Sequence, residues 1–286
     1  MLSPLRPLFG AALLLPIMAS AQQIMLLPIN AELQFGQPIQ VSQSEGYNNQ
    51  PAFSSDSSQL FYSSNNGGES MDIMAYHLSD GLLTNRTNTP DENEFSPQSG
   101  DSNDELVYVV EQGVPDQSVW RQRQGKPRSR AVRSFIDSGY YARNADVGTL
   151  LWARYGHHLY FEPNGEQADE RHFVAASVGR SIHAIPASNQ FSFVHKQINA
   201  DWVIKRYQPS TGAITPLISI DQQSEDYTWR DGNTIWKGRG SVLLQWQQGE
   251  QQWQQIADLK PLGINTIGRL DVSPNGKWLA LVDLDR

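Results

Sequence analysis

Acidic, tyrosine, arginine and histidine side chains gather at one recurring point of this sequence, the turn that leads into the first strand of a repeating β-rich unit. Successive units offer Glu45, Tyr47, Asn48 and Asn49; Glu92 and Glu94; Tyr140, Tyr141 and Arg143; Arg180 and His183; Glu225, Asp226 and Tyr227; and Arg269. Tyrosine joins apolar contact area to a hydroxyl, and arginine holds a carboxylate through two parallel hydrogen bonds, so together they make a recognition surface. The expected site for a protein, peptide or small-molecule ligand is Tyr47, Asn49, Glu94, Tyr140, Tyr141, Arg180, His183, Glu225, Asp226, Tyr227 and Arg269, converging on one rim. Two other readings stand beside it. The same groups can satisfy one another as a polar plug, or the rim acids with His183 or Tyr227 can serve as acid and base on a carbohydrate or peptide.

Catalytic signatures are otherwise missing, and no catalytic residue is assigned. Gly238-Arg239-Gly240-Ser241 has neither the spacing nor the strand-to-helix setting of a nucleophile elbow. No P-loop or dinucleotide fingerprint occurs. The chain has no cysteine, which excludes thiol catalysis, disulfides and cysteine-ligated zinc. His157, His158, His172, His183 and His195 fall close together, yet no spacing makes three of them converge, so neither a metal nor a cofactor is expected.

A local excess of positive charge stands out in a chain of net charge −8. Arg121, Arg123, Lys126, Arg128, Arg130 and Arg133 have no acid between them and flank a turn at Gly125 and Pro127. Such a run either protects an exposed sheet edge or docks an anionic partner. The overall acidity speaks against nucleic acid. Residues 245–255 alternate glutamine with Trp246 and Trp253 about Gly249-Glu250, which predicts a hairpin with the tryptophans on facing strands. Asn85-Arg86-Thr87 is a glycosylation sequon by pattern only.

The elements that must position these groups follow from a period. Leu60-Phe61-Tyr62, Leu106-Val107-Tyr108, Leu150-Leu151-Trp152, Phe191-Ser192-Phe193, Thr234-Ile235-Trp236 and Trp278-Leu279-Ala280 begin 41 to 46 residues apart. Strand-rich units of that length are propeller blades. Six of them predict an all-β six-bladed propeller of four-stranded blades. The chain ends after the second strand of the sixth unit, and two strands, expected over residues 31–35 and 38–42, precede the first. Pairing the two halves closes the ring and leaves no unpaired edge. The domain reading is one propeller over residues 22–286, its last blade built from residues 29–44 and 267–286.

Residues 51–63, the Asp72-Ile73 strand start, Leu83-Thr84-Asn85 and Ser273-Pro274-Asn275-Gly276-Lys277 resemble the repeats of TolB-like six-bladed propellers. In that family a Pro–x–aromatic–Ser–Pro–Asp–Gly–Lys turn precedes a hydrophobic strand. The resemblance implies the propeller fold from about Ala31 onward. It does not extend to the additional N-terminal domain that TolB carries, for which no counterpart is expected.

The first residues have the three parts of an export signal: Arg6, an apolar stretch over residues 8–18, and Ala19-Ser20-Ala21 as cleavage site. Cleavage near Ala21 removes Arg6 and takes the net charge from −8 to −9. No later stretch has transmembrane length. The expectation is a periplasmic or secreted, non-enzymatic binding scaffold, with a sensor or accessory role in an envelope complex as a further reading.

Overall fold

The computed structural model describes residues 22–113, 116–165, 171–198, 200–222 and 224–285, so the expected export signal lies outside the described residues. The described residues begin with β1 (Gln23–Pro28) and β2 (Ile39–Gln40). Blade one follows as β3 (Asn48–Phe53), β4 (Gln59–Ser64), β5 (Asp72–His77) and β6 (Leu83–Asn85). Blade two is β7 (Asn93–Ser99), β8 (Glu105–Glu111), β9 (Gln117–Arg123) and β10 (Ser129–Arg130). Blade three is β11 (Ser138–Asn144), β12 (Gly148–Ala153), β13 (His158–Pro163) and β14 (His172–Ala175). Blade four is β15 (Val178–Ala184), β16 (Phe191–His195), β17 (Trp202–Gln208) and β18 (Ala213–Ile220), and blade five is β19 (Tyr227–Asp231), β20 (Thr234–Arg239), β21 (Val242–Gln247) and β22 (Gln254–Asp258). The chain closes with β23 (Ile267–Val272) and β24 (Trp278–Asp283). Six antiparallel four-stranded sheets result, arranged as a six-bladed propeller.

Each of the six apolar runs forms the second strand of a blade, in β4, β8, β12, β16, β20 and β24. These strands are covered on both faces by neighbouring blades, which is why they read as unbroken apolar runs rather than alternating ones. In β8, for instance, every residue from Glu105 to Val110 is buried. The core therefore lies between blades. Phe161 and Leu159 of blade three meet Phe191 and Phe193 of blade four, and Val194 and Ile204 meet Tyr227, Trp229 and Ile235 of blade five.

The ring closes as expected, with the outer strand β2 inside the expected residues 38–42 but with a different third strand. In blade six the order is β23, β24, β1, β2. Six residue pairs join β1 to β24, from Gln23↔Asp283 to Pro28↔Trp278, and Ile24, Met25, Leu26 and Leu27 are all buried. The segment expected as the third strand, residues 31–35, is instead a turn. Asn30 Oδ1 accepts hydrogen bonds from the N–H groups of Glu32 and Gln34, and Leu33 takes a positive φ of 58°. This side-chain-to-backbone capture is the usual way in which asparagine displaces strand geometry.

The glutamine-rich hairpin forms, and its tryptophans divide. Trp246 sits on β21 and donates from Nε1 to Glu250 O, whereas Trp253 precedes β22 and donates to Ser219 O of blade four at 2.8 Å. Both pack in the cluster between blades four and five.

Candidate ligand-binding site at the channel mouth

The innermost strands line the central channel, and five of them are irregular where they enter it. Pairing shifts between Asn49 and Ala52, Phe95 and Gln98, Ser138 and Tyr140, Val178 and Ile182, and Ile267 and Leu270. The residues released from the ladder are Gln50-Pro51, Ser96-Pro97, Gly139, Gly179-Arg180-Ser181 and Gly268-Arg269. Proline is tolerated because a bulge needs no ladder N–H, and bulges redirect side chains. Gln50 and Ser96 take φ values of 61° and 53°, and the Gln50 side chain ties the two bulges together by accepting from Ser96 N and from Ser63 Oγ at 2.9 Å.

Ion pairs fill one side of the mouth. Arg180 places Nη1 3.1 Å from Glu225 Oε1 and Nη2 3.0 Å from Asp226 Oδ2. Glu225, 5% exposed, also accepts the Arg180 N–H at 3.1 Å and meets Lys196 Nζ at 3.2 Å. Its carboxylate lies where Gly179 has no side chain, since a Cβ there would sit 1.8 Å from Oε2. Arg269 stacks over the Tyr140 ring at 4.8 Å, with Nε 3.9 Å from Asp226 Oδ1. That distance is too long for a hydrogen bond, so Asp226 does not consume the Arg269 donors. Within this network three cations face two carboxylates.

Burial shifts the titratable groups nearby. Desolvation pushes the Tyr47 hydroxyl up to about 12, with Arg269 and Arg180 pulling the other way. It pushes His183 down to about 4, partly offset by Asp226, so the imidazole is neutral at physiological pH. His183 packs at 4.5 Å from the Tyr227 ring, with Nε2 3.2 Å from Ser181 Oγ. Asp271, deeper in the channel, is pushed up to about 6 by burial, although Phe53 N, Thr228 Oγ1 and Val272 N all donate to it.

A cavity of about 270 Å³ lies among these groups, lined on all six blades by residues that include Gln50, Ser96, Tyr140, Arg180, His183, Asp226 and Arg269. Beside it opens a groove of about 460 Å³ that shares Gln50, Tyr140 and Arg180 with the cavity. Its walls are aromatic. Tyr47 meets Phe95 edge-on at 6.4 Å, Tyr140 meets Trp152 at 5.3 Å, and Trp152 stacks on His157 at 5.2 Å with 19° between planes. Arg154, paired with Glu111 at 2.8 Å, closes the outer end.

Of the residues expected at the rim, Tyr47, Tyr140, Arg180, His183, Glu225, Asp226, Tyr227 and Arg269 come together here. Tyr227 contributes only its buried body, because its hydroxyl donates to Ser192 Oγ at 2.8 Å. Two are placed elsewhere, and a third, Tyr141, borders the cavity from between two blades. Asn49 is turned to Gln22, donating to its Oε1 at 2.9 Å. Glu94 is fully buried against Thr87 and Thr89, in the loop leading out of blade one, and burial pushes its carboxyl up to about 7. Tyr141 lines the cavity, while its ring packs with Val107, Val109 and Leu151 between blades two and three. Alternation along the strand explains the last case, since Tyr140 and Tyr141 must face opposite sides. Arg143, at the far end of β11, pairs with Asp101 at 2.6 Å.

Sequence reasoning missed Gln50, Phe95, Trp152 and His157. Trp152 sits in a core run and is 8% exposed, so its type signals packing. Only its register opposite Tyr140 brings it to the groove.

No protein-family profile and no curated protein matches the sequence. Solved structures do match in fold. The putative TolB from Agrobacterium tumefaciens aligns with a TM-score of 0.65 at 10% identity, over 92% of this chain and 98% of that one. TolB from Acinetobacter baumannii aligns with a TM-score of 0.58 at 14% identity, over 92% of this chain. The chain folds as a TolB-like six-bladed propeller. This TolB-like propeller spans 64% of the Acinetobacter protein's length. It is similar also to the oligogalacturonate lyase of Vibrio parahaemolyticus, with a TM-score of 0.57 at 12% identity over 90% of this chain and 82% of that one. YCF48 bound to D1 peptide gives 0.53 at 15% identity, over 93% and 94% of the two chains. At such identities the TolB-like propeller shares architecture with these proteins, and function has to come from its own mouth.

Proposed function

We propose that this chain is an exported, non-enzymatic binding propeller that holds an acidic segment of a protein or peptide at its channel mouth. A carboxylate of the segment sits against Arg269 and Arg180, and a neighbouring aromatic side chain enters the groove between Tyr47, Tyr140 and Trp152. The observation that carries this reading is that Gln50, Tyr140 and Arg180 line both the cationic cavity and the aromatic groove, which makes them one continuous cleft. Arginine and large aromatics clustered in a desolvated recess are the usual anchors of protein recognition. The similarity to YCF48, solved with a peptide, adds that a propeller of this general shape can carry such a ligand. Export rests on Arg6, the apolar residues 8–18 and Ala19-Ser20-Ala21. Among the described residues no helix is long and apolar enough to cross a membrane.

Acid–base chemistry is the less favoured use of the site. Glu225 and Asp226 are tied to Arg180, and the Tyr227 hydroxyl is tied to Ser192. Selection of random peptides on the full chain tests the proposal. The expected result is enrichment of sequences that place Asp, Glu or a free C-terminus within a few residues of Phe, Tyr or Trp. Enrichment of basic peptides, or of none, overturns it.

A further inference from the structure

The six basic residues of blade two separate into two groups. Arg128 is held by both oxygens of Glu92 and stacks on Trp120 at 4.7 Å, Arg130 stacks on the same ring at 5.3 Å, and the Arg133 N–H donates to Glu162 at 2.8 Å. Arg128 ties the outer hairpin to Glu92, Arg130 packs within the hairpin on its cross-strand partner, and the Arg133 backbone joins it to blade three. Arg121, Arg123 and Lys126 are not engaged in that way. They line a recess of about 230 Å³ together with Pro127, Ser129 and Glu105. Arg121 and Arg123 are two apart on β9 and so share a face, while Lys126 comes over from the hairpin turn and Ser129 stands opposite Arg121.

Edge protection needs charge but no recess, and it does not need three cations to converge. The only acid lining the recess is Glu105, which is 5% exposed. It lies 3.7 Å from Arg123 Nε, outside hydrogen-bond range, and its other oxygen accepts from Asp101 N. Two guanidinium forks, one ammonium and a hydroxyl around one recess match the geometry of a tetrahedral oxyanion.

We propose that Arg121, Arg123, Lys126 and Ser129 form a binding site for a phosphate group, carried by an anionic lipid headgroup or by a soluble phosphate compound. The site lies on the outer hairpin of the blade, where a flat membrane surface or a small molecule can reach it without entering the channel. It is separate from the peptide site at the mouth, and neither depends on the other.

The test compares the full chain with the triple variant R121Q/R123Q/K126Q and with a control of equal charge loss, K205Q/R206Q/K277Q. Phosphatidylcholine vesicles with and without phosphatidylglycerol are used for co-sedimentation, and inorganic phosphate is titrated by calorimetry. Melting curves confirm that each variant folds. A lipid source gives sedimentation only with phosphatidylglycerol; a soluble source gives heat with inorganic phosphate and no sedimentation. In either case the triple variant is expected to bind about tenfold more weakly or worse, since it removes three charged donors from the recess, and the control is expected to bind like the wild type. Binding in neither arm overturns the proposal, as does equal weakening of the triple variant and the control.

Discussion

Arg180 of blade four reaches Asp226, in the loop leading into blade five, with Nη2 3.0 Å from Oδ2. The contact joins two blades at the mouth and fixes the guanidinium that also borders the aromatic groove. The blade contact and the proposed peptide site therefore depend on the same side chain. Replacing Arg180 by Gln leaves Glu225 with Lys196 and the backbone N–H of residue 180. Because the Arg180 side chain is 38% exposed, solvent moderates the cost, and a stability loss of about 1–2 kcal/mol is expected in urea unfolding.

Gly179 makes room for the Glu225 carboxylate. Gly179→Ala would force Cβ and Oε2 apart, an overpacking cost of about 1–3 kcal/mol. Adding Glu225→Ala to it is expected to cost less than the two single changes together, because the clash is gone. A double-mutant cycle by urea unfolding measures this coupling, and additive costs would show that the contact carries no strain.

Glu94 and His183 impose opposite slopes on stability. Glu94 rises to about 7 in the fold from 4.5, so the folded state binds more protons between those values, and stability falls as pH rises through them. His183 falls to about 4 from 6.5, so its contribution rises with pH over that window. Glu94→Gln is expected to gain stability relative to the wild type between pH 5 and pH 8, and His183→Gln to lose it between pH 4 and pH 6.5. Urea unfolding across pH checks both.

The period of the six apolar runs carries the whole architecture, because a second strand covered on both faces leaves an uninterrupted signal. The seam was half legible. Closure follows from the unpaired halves, but the strand that achieves it, β1, adjoins the expected export signal and continues its apolar character into Ile24–Leu27. Asn30 decides the turn that follows through its side chain alone. At the mouth, residue types pointed to Arg180, Asp226 and Arg269. Bulges at Gln50, Gly139 and Gly179 shift the register, so that Tyr140 stacks under Arg269 while the Tyr141 ring packs between blades two and three. Trp152 enters from a second strand through pairing, which residue type does not reveal.

The seam itself gives a prediction. Deleting residues 23–28 removes the strand that pairs with β24 along its length, and the ring is expected to open with loss of the cooperative melt. Shortening the turn over residues 31–35 is expected to lower the melting temperature without abolishing the cooperative melt, since only Leu33 and Phe35 of that turn pack against the core. Leu26→Ala, at a site 1% exposed, is expected to cost about 2–5 kcal/mol.

Trp152→Ala removes one wall of the groove and leaves the cations in place. Affinity for a selected acidic-aromatic peptide is expected to fall, and the preference for an aromatic residue in that peptide to disappear. Binding of variants with the aromatic residue changed to Ala reads this directly.

Arg269 is the side chain that reports on a carboxylate held at the channel mouth. Calorimetric titration of a selected acidic peptide into wild type and Arg269→Gln, with its aspartate or glutamate intact or replaced by the amide, gives the coupling between the two charges. Weakening by about tenfold or more in Arg269→Gln, with no further loss when the peptide carboxylate is also replaced, is the predicted result. Equal affinity of wild type and Arg269→Gln for the acidic peptide would place the ligand elsewhere and contradict the account.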